Sequence, residues 1–182
     1  MPSAKQTVDN GVNFETALDY RGVHETSHFA WRANCEWING VYGRSTVSGF
    51  SEPGGKPVRS TQFSVAADYP EMLAGEDKAP TPIELVLSAL ASCLTAGVAV
   101  TAQHQGIQLR YIETIAEGTL DIRGILARDP DIRHGLNSIT VSFVIDADAT
   151  VDELKNLVAE AQKRSAVLDL IAKPTDVAVE VK

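Results

Sequence analysis

The chain has 182 residues, 44% of them hydrophobic and 22% charged, enough for one ordinary domain with a real core and too apolar for a disordered chain. A net charge of −8 and a pI near 4.9 exclude broad binding to a phosphate backbone, which needs clustered Lys and Arg. Two cysteines are too few for a disulfide-stapled scaffold, and the opening MPSAKQTVDNGVNF has no apolar run of the kind that marks a secretory signal, so a cytoplasmic location is the expectation.

Residues 1–27 read as a polar arm with a short helix after Asn13. From His28 to Ile38 the chain alternates, with Phe29, Trp31, Ala33, Cys35 and Trp37 on one face and His28, Arg32, Asn34 and Glu36 on the other, the pattern of a half-buried strand. Asn39-Gly40 predicts a two-residue type I′ hairpin turn, and a second strand over Val41 to Phe50. A turn at those two residues sets Ile38 opposite Val41, Trp37 opposite Tyr42 and Cys35 opposite Arg44. Arg44 then shares the apolar face, where a cation needs a partner. The segment SEPGGKP is a loop, and a third strand is expected over Arg59 to Ala67, with Arg59 on the face of Phe63.

Residues 68–82 are irregular, with prolines at 70, 80 and 82. Thr81 is a natural N-cap and Pro82 suits the first helical position, where its missing N–H costs little. The helix that follows runs to about His104 and stops at Gly106. It is apolar nearly all round, the mark of a central helix covered on most sides. Residues 83–102 are the one stretch to weigh as a membrane span, but Glu84 and a composition of Ala, Ser, Thr and Gly favour a buried helix. Two long strands are expected at 107–123 and 137–146, joined by a polar connection. Thr150 and Glu153 have the spacing of a capping box and open a helix to about Lys163. A short helix over Ser165 to Ala172 ends before Pro174, and 177-VAVEV-181 alternates as a last strand. Three strands, a helix, two strands, two helices and a strand make an α+β order.

That order, together with 68-DYPEMLAGED-77, 81-TPIELVLSALASCLTAG-97 and 163-KRSAVLDLI-171, resembles the OsmC/Ohr family of thiol peroxidases. The resemblance covers most of residues 28–182 and implies a single domain, paired as an intertwined homodimer around the long central helix. It implies reduction of organic hydroperoxides by a cysteine thiolate, with sulfenic acid and an alcohol as products and a thiol or dithiol as reductant. No metal or organic cofactor is implied. Cys93 matches the family nucleophile. Arg44 stands for the arginine on the first hairpin that favours the thiolate, with Arg59 as its competitor. Glu84 stands for the glutamate that orients the arginine. The slot of the second, resolving cysteine holds Ser165, which cannot form a disulfide. Cys35 is the only other thiol in the chain, which makes it the in-chain replacement to test, beside a small external thiol or a lipoyl carrier. Apolar pocket walls from Trp31, Trp37 and Tyr42 are expected between subunits.

Beside the resemblance stand plainer readings. Cys93 lies eleven residues beyond Pro82, too remote for the dipole at the helix start to act on it, and a free cysteine is often only a small buried hydrophobe. Arg44 as a snorkelling edge residue and Glu84 as an ordinary first-turn acid remain open. For the whole protein, the alternatives are a non-catalytic binding module and an enzyme that transfers thiols from lipoyl or low-molecular-weight carriers. His24 and His28 lack cysteines at zinc-finger spacing, and GFSEPGGKP lacks the spacing of a phosphate loop.

Overall fold

The computed structural model describes residues 9–11, 28–51 and 59–181. The short helix expected after Asn13, most of the arm with His24, and the loop at 52–58 lie outside the described residues. The chain divides into two compact units, one spanning Glu15–Val86 and the other Leu87–Lys182 together with Met1–Phe14.

In the first unit, β1 (Ala30–Asn39), β2 (Tyr42–Ser51) and β3 (Phe63–Ala67) form an antiparallel sheet in that order. The hairpin turn sits one residue later than the Asn-Gly signal predicts. Asn39 pairs with Tyr42, so Gly40 and Val41 are the central residues. Gly40 has φ 50° and Val41 has no positive φ, which fits a II′ turn with glycine first rather than the I′ turn expected. Trp37 then pairs with Gly43, which leaves Ile38 as an extra residue on β1. This bulge moves the register by one, and a one-residue slip exchanges faces. Cys35 pairs with Ser45, and Arg44 pairs with Glu36, so the expected Cys35–Arg44 pair does not form.

The register gives the sheet an apolar face of Trp31, Ala33, Cys35 and Trp37 on β1, Ser45, Val47 and Phe50 on β2, and Phe63 and Val65 on β3. Phe29, Trp31 and Phe50 gather there, with the Trp31 and Phe50 rings stacked at 5.6 Å. The opposite face carries Asn34, Glu36, Arg44 and Thr46, and Tyr42 goes with it. Every residue of β1 is exposed within the chain.

The loop from β3 to the long helix is built on Asp68, which is 1% exposed. Its carboxylate accepts the backbone N–H groups of Tyr69, Glu76 and Lys78 at 2.8, 3.2 and 3.0 Å. The bond from Lys78 is the largest influence holding this carboxyl below its ordinary pKa, against the opposing effect of burial. Glycine is required at position 75, where a Cβ would lie 1.7 Å from the Tyr69 carbonyl oxygen. The Asn39 amide donates to Glu76 at 3.3 Å, and Glu76 pairs with Lys78.

Helix α1 (Pro82–Gln105) follows. The second unit lays this helix and α3 (Val151–Arg164) on the antiparallel pair β4 (Leu109–Thr119) and β5 (Ser138–Ala147). A four-residue turn of helix, α2 (Ile122–Ile125), lies in the β4–β5 connection, and α4 (Ala166–Ala172) follows α3. Along β4, Ile112, Thr114, Ala116 and Gly118 are half-buried and alternate with exposed neighbours, as one covered face requires. The core is Val98 and Ala102 of α1, Ile107, and Leu157 and Ala161 of α3, with Phe143 and Ile145 of β5 packed on it. The α3 capping box forms as expected, with Thr150 accepting from the Glu153 N–H and the Glu153 carboxylate accepting from Thr150.

Residues 9–11 belong to this unit. Asn10 donates to the Ile107 carbonyl at 2.9 Å and accepts the Leu109 N–H at 3.0 Å, copying with one side chain the bonds of a neighbouring strand. The strand expected at 177–181 does not form. Val177, Val179 and Val181 are 80%, 90% and 102% exposed. Alternation prepares a strand, but only another edge can complete its hydrogen bonds.

Candidate functional site

Cys93 sits in the middle of α1 on its half-buried side. Its position is set by the way α1 meets α3. Gly97, one turn after Cys93, lies against Ala161, so closely that a Cβ on Gly97 would be 3.1 Å from the Ala161 Cβ. One turn beyond Ala161 the chain reaches Ser165, and the Ser165 hydroxyl donates to the Cys93 sulfur at 3.2 Å. The two contacts step in opposite directions along the two segments, so the chain runs antiparallel there. Small residues at the crossing let the backbones approach, and the close approach delivers Ser165 to the sulfur.

Ser165 ends α3 and caps α4. It is 5% exposed, and its Oγ accepts the Leu168 N–H at 3.1 Å. Sequence reasoning places Ser165 only in a resolving slot, and a serine there reads as a loss. The direct contact with sulfur carries no local signature, because it spans 72 residues.

Glu84 is engaged at the helix start. Its carboxylate accepts the Thr81 backbone N–H at 2.7 Å and the Thr81 hydroxyl at 2.8 Å, while the Glu84 N–H donates back to the Thr81 oxygen at 3.3 Å. This is a capping box of the same build as that of Thr150 and Glu153. The Thr81 backbone bond, then the hydroxyl bond, holds the Glu84 carboxyl below the ordinary range.

The two arginines of the first unit differ. Arg44 lies on the polar face, exposed, and its guanidinium donates to the Tyr42 hydroxyl at 3.4 Å. That bond is the main influence holding it further toward the charged form. The hairpin argument that turned Arg44 toward the apolar face is therefore corrected by the Ile38 bulge. Arg59 lies just before β3 with its guanidinium carbon 4.9 Å from the Phe63 ring centre and 5.8 Å from that of Phe50, distances at which a cation is held by aromatic faces. Its Nε is buried and meets no hydrogen-bond partner among the described residues. Cys35 is exposed on the apolar face, and Tyr42 is not on the face of Trp31 and Trp37. Among the described residues, no group of three His, Cys, Asp or Glu side chains is placed to hold a metal ion.

Comparison with known proteins agrees with this architecture. Residues 75–180 match the family described as OsmC-like protein. An OsmC-like protein from Mycoplasma pneumoniae superposes with a TM-score of 0.61 at 17% identity, over 79% of this chain and 87% of that one. An OsmC-like protein of unknown function from Vibrio cholerae gives 0.56 at 13%, over 77% and 92%. A putative osmotic stress induced and detoxification response protein from Psychrobacter arcticus gives 0.55 at 12%, over 75% and 85%. At these identities the solved structures establish a shared fold. No curated protein matches the sequence significantly.

Proposed function

Because the chain belongs to the OsmC-like protein family, we propose that it is a thiol-dependent peroxidase that reduces organic hydroperoxides, alkyl or lipid, at Cys93. The observation that carries this reading is a half-buried cysteine in mid-helix whose sulfur is met by a buried hydroxyl. The thiolate attacks a peroxide oxygen, and the sulfenic acid that results is resolved by an external thiol. Cys35 loses its geometric reason as the resolving residue once it pairs with Ser45 instead of Arg44. We place the activating cation at Arg59, whose Nε has no hydrogen-bond partner among the described residues and whose side chain lies over Phe50 and Phe63 of the apolar face. Arg44, on the polar face, and Glu84, engaged in the helix cap, serve structure in this reading.

The working form is a cytoplasmic homodimer. Helix α1 is long and apolar enough to cross a membrane by length and composition, and only 28% of that stretch is buried within the chain, so it needs a cover. Family membership favours a second copy over lipid as its cover. The apolar sheet face, with Trp31 and Trp37 at 71% and 76% exposure, asks for the same cover.

The test is hydroperoxide consumption with a dithiol reductant. Wild type should turn over cumene hydroperoxide, and Cys93→Ser should abolish turnover. Arg59→Met should lower kcat/KM about a hundredfold, the typical loss on removing one electrostatic stabiliser, and Arg44→Met should stay within about threefold, as a solvent-exposed charge does. Equal slow rates for wild type and Cys93→Ser would sink the peroxidase reading. A binding module then leads, and an apolar groove of about 420 Å³ between β5 and α3, lined by Phe143, Ile145, Leu154 and Val158, is the feature that favours it.

A further inference from the structure

We infer that Ser165 is a catalytic residue of the Cys93 cycle, a fixed hydrogen-bond donor that stabilises the sulfur first as thiolate and then as sulfenate. The inference rests on the reading of Cys93 as a peroxide-reducing thiol. Serine has one hydroxyl hydrogen and a free rotor, so its direction must be set by something else. Here the Ser165 Oγ accepts the Leu168 N–H at 3.1 Å, which occupies the oxygen on that side and leaves the hydrogen for the Cys93 sulfur at 3.2 Å. The backbone around it is pinned on both sides. The Ser165 N–H donates to the Gln162 carbonyl at 3.3 Å, and the Asp169 N–H donates to the Ser165 carbonyl at 3.0 Å. The Gly97–Ala161 contact one turn away holds the two segments at that spacing. Water cannot easily replace the donor, because Ser165 is 5% exposed. A helix-capping role alone explains the bond from Leu168 but not the aim of the hydroxyl at sulfur.

The cycle then balances without a second protein sulfur. The Cys93 thiolate attacks one peroxide oxygen, an S–O bond forms as the O–O bond breaks, and the departing alkoxide takes a proton from water. Sulfur is oxidised by two electrons and the peroxide is reduced by two. An external thiol attacks the sulfenic sulfur, an S–S bond forms, and water leaves. A second external thiol attacks that mixed disulfide on the external sulfur, returns the Cys93 thiolate and releases the reductant as its disulfide. Throughout, the Ser165 hydroxyl donates to whichever anion the site holds, sulfide or sulfenate.

The experiment compares wild type with Ser165→Ala, Ser165→Gly and Ser165→Thr. Glycine is nearly as good an N-cap as serine, so Ser165→Gly removes the hydroxyl while α4 stays capped. Threonine keeps both the cap and the hydroxyl. The first readout is the rate of iodoacetamide labelling at the Cys93 peptide, near pH 6.5, measured by mass spectrometry with no peroxide present. Alanine and glycine should each slow it about fivefold, the weight of one hydrogen bond to a charged group less the lower intrinsic nucleophilicity of a stabilised thiolate. Threonine should stay within about twofold of wild type. The second readout is the lifetime of the sulfenic acid after one equivalent of cumene hydroperoxide, trapped by a cyclic dione, which alanine and glycine should shorten. Wild-type labelling and lifetime in both Ala and Gly variants would overturn the inference, as would a loss in Thr equal to theirs. The two readings fail separately: labelling that slows in Ser165→Gly while wild type turns over no hydroperoxide removes the peroxidase and leaves the donor role standing.

Discussion

Val98, Ala102 and Leu157 are sealed from solvent, while Trp31 and Trp37, larger and as apolar, are mostly exposed. The helix-and-strand unit of α1, β4, β5 and α3 closes a core from its own residues, because its sheet has helices to cover one face. The β1–β3 sheet builds a continuous apolar face, Trp31 to Trp37 on β1 and Phe50 on β2, and leaves β1 exposed along its whole length. A contiguous apolar surface of that kind marks an interaction site in a soluble protein. The contrast teaches that the crossing of α1, α3 and the β4–β5 pair closes a core within the chain, whereas the β1–β3 sheet and much of α1 depend on what covers them.

The largest test of the contrast replaces Trp37 with Lys. A charge in the middle of the apolar face should convert the proposed dimer to the 19.5 kDa chain, read by light scattering, and leave the helix signal of the other unit intact. A wild type that already runs at the mass of one chain breaks the comparison, since the sheet face would then need no second copy. Next in size is Gly97→Ala, which drives a Cβ to 3.1 Å from the Ala161 Cβ. Overpacking should cost about 1–3 kcal/mol in chemical denaturation and slow Cys93 labelling by moving Ser165 away from sulfur. No change in either would show that the crossing is looser than its spacing implies.

Acid is the gentler probe of the sheet unit. The Asp68 carboxyl is held below its unfolded value by the backbone N–H of Lys78, with Tyr69 and Glu76 adding to it. Its stabilising effect is therefore full above the unfolded pKa of about 3.9 and is lost as pH falls through the lower folded value. Asp68→Asn should be less stable than wild type at pH 7 and show a flatter loss of stability from about pH 5 downward, where the native carboxylate is titrated. Thermal unfolding across that range checks it, and parallel curves for the two proteins would remove Asp68 as the loop's anchor. The smallest effect compares the helix starts. Thr81→Ala and Thr150→Ala should each cost about 1 kcal/mol, because the two capping boxes have the same geometry.

Much of this was legible locally. Pro82 and the Thr150–Glu153 spacing announce their helices because caps are satisfied within one turn. The Cys93 helix is legible from its composition. The Glu84 box is less legible, because Pro82 at the first helical position and Thr81 as a cap already account for the helix start. The Asp68 loop was visible as a motif but not as a hub, since its bonds are to backbone groups that any residue supplies.

Sequence alone determined the kinds and order of the elements from β1 to α4, the α2 turn apart, and the apolar character of α1, because periodicity, caps and composition act over a few residues. Tertiary structure decided the rest. It placed the extra residue at Ile38, which turned Arg44 to the polar face, because register depends on where a backbone bulges and not on alternation. It withheld a strand from 177–181, because a strand needs an edge to pair with. It brought Ser165 to Cys93 across 72 residues, because the Gly97–Ala161 crossing fixes how closely two helical segments can lie.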